Sequence, residues 1–301
     1  MKNKTAKQLL TIYYVILALL TILYIATPTV LALFIDFPWV LLVVTLVLIY
    51  PYNWLGTQAS QIILNPLYKE LDPAKQIQLI KLAPTAFYGS IYIPEAARHN
   101  GDAQTAINIC HNAFVNYNNI SFLSLRANIH FQYDDVESLK HCCYLFDEAV
   151  PPYTAELQKL RNKFGVFKFY RLYVSGKYTD CLTYNAGLNK KLMKRINKSK
   201  EASIRFKYSN ALLNYKAGNM DVARQEFAEI IAQAPKIHLA TLSRKYLDAM
   251  DAGVEYISDV HLEPNDQPIT LGKKPTFNYQ KKLIAIVALT IVVSAIVQSV
   301  R

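Results

Sequence analysis

The residues best suited to chemistry are few. His130, His141, Cys142 and Cys143 place four metal-ligating side chains within a short stretch. On facing helices they would form the nitrogen and sulfur set that zinc takes. The spacing argues for less, because no Cys-x-x-Cys pair is present and Cys110, Cys142, Cys143 and Cys181 follow no regular pattern. Surface imidazoles beside buried reduced thiols are the plainer reading. Asp134-Asp135 pairs two carboxylates, but at a break between helical patterns, where an Asp caps the next helix. The phosphate-loop, dinucleotide-loop, zinc-protease and hydrolase-elbow signatures are all missing from the sequence. No catalytic, cofactor-binding or metal residue is assigned, no cofactor is expected, and the chain does not read as an enzyme.

Charge carries more information. The 301 residues hold 33 Lys/Arg against 22 Asp/Glu, a net +11. The excess is segmented. Residues 69–158 carry 6 basic and 10 acidic residues, and residues 217–270 carry 4 and 9. Between them, residues 159–216 carry 15 and 2. Lys190, Lys191, Lys194, Arg195, Lys198, Lys200, Arg205 and Lys207 form the candidate basic surface. It reads as a solvated helix face, a contact for anionic lipid heads, or a dock for an acidic protein segment. Nucleic acid is not expected, since no recognition motif accompanies the charge.

The elements that position these residues are apolar at both ends of the chain. Between Leu9 and Leu55 the single formal charge is Asp36. About 20 apolar residues cross a bilayer core, so this stretch has room for two spans. One is expected over Leu9 to about Thr27 and one over about Pro38 to Leu55, with a turn at Thr27-Pro28-Thr29 and Asp36-Phe37-Pro38. A cleaved signal sequence is the other reading of the first. Leu283–Val300 is uncharged and reads as a third span. Lys2, Lys4, Lys7, Lys273, Lys274, Lys281 and Lys282 flank the outer spans, and the positive-inside bias puts the middle of the chain in the cytoplasm. There the Asn119-Ile-Ser121 and Asn197-Lys-Ser199 matches to the glycosylation pattern would go unused. The expected organisation is a basic tail at 1–8, two spans over 9–55, a helical domain over 56–260, a flexible linker over 261–280 and an anchor over 281–301. A bacterial cell membrane is the first expectation for location, and an organelle membrane facing the cytosol the second.

The middle is read as helix throughout. Leu71-Asp72-Pro73 starts a helix running to about Leu82. The clearest unit runs from Ile204 to Pro235 around a break at Gly218. Ala211 and Ala223 put small residues where two helices approach, Phe227 fills the gap and Pro235 ends the unit. This pattern resembles the tetratricopeptide repeat, a helix pair of about 34 residues. The early aromatic anchor is missing, since Lys207 falls there. Weaker copies follow Gly101-Asp102 with Ala106 and Ala113, Tyr133-Asp134-Asp135, and Gly176-Lys177-Tyr178 with Cys181. The breaks stand 33, 42 and 42 residues apart, so the last two intervals carry extra helix or loop. Pro94 predicts a kink or late start in the first unit, and Ile237 to about Ile257 reads as one capping helix.

The expected fold is therefore all-α: a transmembrane hairpin, a TPR-like α-solenoid and a C-terminal membrane helix. The resemblance implies protein–protein binding on a concave surface, which some of Tyr170, Tyr173, Tyr178, Tyr184, Tyr208 and Tyr215 would line. The reading is a membrane-anchored scaffold or adaptor. The alternatives are an accessory subunit of a transport or secretion complex, and a membrane enzyme with an unrecognised site.

Overall fold

A computed structural model describes residues 5–32, 54, 60–83, 90–188, 190–258 and 260–265. Every regular element among them is a helix. The chain divides into two compact units, one of residues 1–65, 78–88 and 272–301, the other of 66–77 and 89–271.

The first unit contains α1 (Ala6–Ala32). Among the described residues it is the one helix long and apolar enough to cross a membrane, a test that a signal sequence also passes. Val15, Leu19, Ile22 and Leu23 are more than half exposed along it. The helix does not stop at the expected Thr27-Pro28-Thr29 turn. Pro28 removes one backbone donor, while the preceding Thr27 hydroxyl donates to the Leu23 carbonyl at 2.7 Å, and the helix continues to Ala32. The expected spans over Pro38–Leu55 (residue 54 apart) and Leu283–Val300, Asp36, and the linker beyond Asn265 lie outside the described residues.

The second unit is a chain of short helices, preceded by α2 (60–68) and α3 (Pro73–Leu82), which both units share. Asp72 caps α3 as its sequence requires, accepting from the Lys75 amide at 3.1 Å. Then follow α4 (Tyr92–His99), α5 (Ala103–Tyr117), α6 (Ile120–Gln132) and α7 (Val136–Ala149). After α8 (Ala155–Lys163) come α9 (Val166–Val174), α10 (Tyr178–Ala186) and α11 (Lys190–Lys198). The unit closes with α12 (Lys200–Lys216), α13 (Met220–Gln233) and α14 (His238–Asp251). Pro94 sits in the first turn of α4, a late start for that helix.

One turn recurs. Gly101, Asp134, Gly176, Gly218 and Gly253 all have positive φ, between 54° and 91°, and stand 33, 42, 42 and 35 residues apart. At each, the next residue's amide bonds back to the carbonyl five residues earlier: Asp102 to Ala97, Asp135 to His130, Lys177 to Leu172, Asn219 to Asn214 and Val254 to Ala249. This is the Schellman helix ending, which satisfies two orphan carbonyls and reverses the chain in a single left-handed residue. The next helix starts at once after the first four. Asp102 and Asp135 cap theirs, accepting from the Thr105 and Ser138 amides. The fifth turn cuts short the helix expected to reach Ile257, which ends at Asp251.

The long intervals are explained by α8 and α11. Each is 9 residues, the difference between 42 and 33, and each lies between two turn-linked pairs. The turn-linked helices pack on one another and across the insertions, α7 on α9 and α10 on α12, and α14 also returns to α4. His238 approaches Gly101 and stacks on Tyr133 with ring centroids 5.5 Å apart. An open solenoid would contact only its neighbours; here the stack curves back on itself. Residues 261–265 run along it, with the Leu262 amide donating to Asp135 at 3.2 Å and the Asn265 amide to Asn108 at 3.1 Å.

Candidate functional site: a groove between two inserted helices

The curvature leaves a groove of about 530 Å³ on one side of the second unit. Its floor comes from the first helix of successive pairs. From α6 come Ser124, Leu125, Asn128 and Gln132; from α9, Val166, Phe169 and Tyr170; from α12, Arg205, Phe206 and Ser209. Its walls come from the two insertions. The end of α8 and the residues after it supply Asn162, Lys163 and Phe164, and α11 supplies Leu192 and Ile196. These two are four residues apart, hence on one face of α11. The size lies in the range of ligand sites, and the lining mixes apolar walls with a few fixed polar groups, as such sites do.

A buried charge network holds the floor. Glu201 on α12 and Arg98 on α4 are each 1% exposed in the side chain. Arg98 Nη2 donates to Glu201 Oε1 at 3.3 Å, His99 Nε2 meets the same oxygen at 2.8 Å, and Arg98 Nη1 donates to Asn128 Oδ1 at 2.8 Å. Asn128 in turn donates to the Tyr170 hydroxyl at 3.1 Å and accepts from Gln132 at 3.0 Å. Tyr68 of α2 donates its hydroxyl to Glu95. Burial opposes ionisation of Glu201, yet the Arg205 charge, the His99 hydrogen bond and the Arg98 charge outweigh it and hold the carboxyl well below its usual range. Burial, helped by Arg98, pushes the His99 pKa down. His99 is therefore neutral at pH 7 and donates through Nε2.

Arg205 is the open member of this network. Its side chain is 32% exposed, and its contacts to Glu201 at 3.6 Å and Glu95 at 3.9 Å exceed hydrogen-bond distance. Arg205 thus lines the groove, ion-paired with both carboxylates but within hydrogen-bond distance of neither. With Lys163, Glu95 and the polar floor, the groove offers Arg205 among charged groups of both signs inside apolar walls. That arrangement suits a segment carrying apolar side chains and a carboxylate.

No family model, curated protein or solved structure matches this chain.

The expected packing residues divide cleanly. Ala106, Ala113, Cys181, Ala211, Ala223 and Phe227 are at most 1% exposed. Phe227 stacks on Tyr246 with ring centroids 4.9 Å apart. Gly218 is the left-handed residue of its turn, with open space where a Cβ would stand. Pro235 is exposed just beyond the end of α13. Among the tyrosines, Tyr170 and Tyr184 line the groove, Tyr173 and Tyr208 are core, and Tyr178 and Tyr215 line a second cavity of about 550 Å³.

The structure also divides the basic list. Lys207 pairs with Glu229, and Arg205 belongs to the groove. Lys190, Lys194, Lys198 and Lys200 are exposed. The side chains of Lys191 and Arg195 lie outside those described. The possible metal set does not converge. His130 is buried against Asp135, with Nδ1 3.0 Å from Oδ2, whereas His141 is exposed and stacks on Tyr144. No metal-ligating group of three assembles among the described residues.

Sequence reasoning missed Arg98, Glu201 and Glu95, which it counted only as charges. The one signal was Glu201's isolation as one of two acids in the basic block.

Proposed function

We propose that this protein is a membrane-held helical-repeat adaptor whose groove binds a segment of a partner protein. The observation that carries the reading is the groove itself: first helices on the floor, insertions for walls, and the partly exposed Arg205 inside, within hydrogen-bond distance of neither of its carboxylates. The occupant is an extended or helical segment with apolar side chains and an acidic residue for Arg205. The repeated left-handed turns support a TPR-like stack, with α8 and α11 as insertions. The exposed apolar surface of α1 supports a membrane span rather than a core helix. A hairpin partner for α1, a C-terminal anchor and a cytoplasmic stack complete the proposal.

The test is purification of the full chain from mild detergent, with Ser209→Trp compared against the parent. The substitution fills the groove from a residue that makes none of the hydrogen bonds or ion pairs of the Glu201 network. A stoichiometric partner retained by the parent and lost by the variant, with equal melting temperatures, supports the reading. A partner held equally by both sinks the groove as its site.

A further inference from the structure

The basic block sorts into paired and unpaired cations. Arg161 and Arg171 share Asp147 at 2.7 and 2.5 Å, Lys216 pairs with Asp134 at 2.5 Å, and Arg205 and Lys207 are accounted for above. Lys190, Lys194 and Lys198, like Lys159, Lys163, Lys168, Lys177 and Lys200, make no ion pair among the described residues. The first three stand four residues apart and so form one stripe along α11, about 12 Å from end to end at 1.5 Å per residue. From residue 181 to 200 there are six Lys/Arg and no Asp/Glu. At 100° per residue, the basic positions of α11 span one arc. Leu192, Met193 and Ile196 occupy the opposite one, where Leu192 and Ile196 line the groove. Like charges at this spacing repel along a helix, and no acid among the described residues pairs with them.

We propose that the cationic arc of α11 docks on the headgroups of an anionic bilayer. The inference rests on the membrane anchoring proposed above, not on the groove's partner. Three features favour a lipid surface over an acidic protein. The stripe is straight and exposed. Its three described cations are Lys, compact point charges without the planar fork that reads a carboxylate bidentately. And 27 residues separate Ala32 of α1 from residue 60, so residue 60 stays within roughly 95 Å of any bilayer that holds α1. That tether makes the encounter intramolecular. Each Lys near an anionic surface is worth roughly fivefold, and three together on the order of a hundredfold in the docked-to-undocked ratio. Because the two arcs are opposed, docking leaves the groove wall in place.

The full chain, carrying Asn197→Cys labelled with a donor fluorophore, is placed in nanodiscs of phosphatidylcholine, with or without 30% phosphatidylglycerol, doped with a headgroup acceptor. Co-elution with discs of both kinds tests the anchor separately. Docking predicts energy transfer that is higher in the anionic discs and falls as salt rises from 50 to 500 mM. It also predicts loss of that difference in Lys190→Gln/Lys194→Gln/Lys198→Gln but not in Lys140→Gln/Lys245→Gln. The triple variant keeps Leu192 and Ile196, so it should still capture the groove's partner. Transfer that ignores anionic lipid, or that survives the triple substitution, overturns the proposal. A response to soluble polyglutamate without one to anionic lipid overturns it too, and assigns the stripe to an acidic protein.

Discussion

Glu201→Gln should be among the most damaging single changes in the helical stack, although it replaces one polar side chain by another of the same shape. Glu201 faces His99, Arg98 and Arg205 within 3.6 Å. Removing its charge leaves two guanidinium groups sharing Glu95, which lies 3.8 Å from Arg98 and 3.9 Å from Arg205. Breaking a buried pair by neutralising one partner costs about 3–5 kcal/mol. Arg98 keeps its bond to Asn128, so the lower end applies, about 3 kcal/mol. For a unit of this size that corresponds to a fall in Tm of about 6–12 °C. Circular dichroism at 222 nm is the right probe, because both tryptophans, Trp39 and Trp54, precede the helical stack. Glu229→Gln, at the surface pair with Lys207, is the control and should leave the melt nearly unchanged, since water screens an exposed pair. The double change Arg98→Met/Glu201→Leu should recover much of the loss, since an apolar replacement removes both desolvation penalties. A Glu201→Gln melt indistinguishable from Glu229→Gln would refute the buried network.

Other outcomes follow from the same structure. Burial pushes the His99 and His130 pKa values down, with Arg126 adding to and the Asp135 hydrogen bond opposing the shift at His130. Below about pH 6.5 the unfolded chain takes up protons that these two refuse, so stability falls from pH 7 toward 5, by up to about 1.4 kcal/mol per pH unit for each. His99→Gln should flatten that slope in melts recorded from pH 5 to 8. Burial also raises the thiols, Cys142 and Cys181 to about 12 and Cys143 to about 11; with Cys110 they should resist a disulfide reagent in the native protein and all four should react in denaturant. Gly176→Ala, at φ +70° with open space around its Cβ, should cost about 1–2 kcal/mol from backbone strain alone. Gly101→Ala should cost more, because its Cβ would stand 3.0 Å from the His238 ring.

What the sequence disclosed was local. The turns at Gly101, Gly176 and Gly218 were legible because a left-handed residue between two helices favours glycine. The break at Asp134 was legible from its neighbours, although an Asp fills the glycine position. Intervals of 42 residues announced an insertion, and α8 and α11 supply it. The turn at Gly253 was hidden by apolar residues that continue the helical period beyond it. The groove was not legible, since nothing local says that Leu192 and Ile196 face Phe169 and Phe206 across a curved stack. Nor was the pairing of Arg98 with Glu201, 103 residues apart. A charge list treats both as solvated, and only the packed stack, which brings α4 against α12, buries them.

The most direct test of the central claim is site-specific photo-crosslinking in intact cells. A photoreactive amino acid placed at Ser209 or Leu192 samples the groove, and one at Gln225, exposed on α13, samples the opposite helix layer. A groove that binds a partner segment predicts one shared adduct from both groove positions and none from Gln225. Adducts that are absent from the groove, or the same from all three positions, would contradict it.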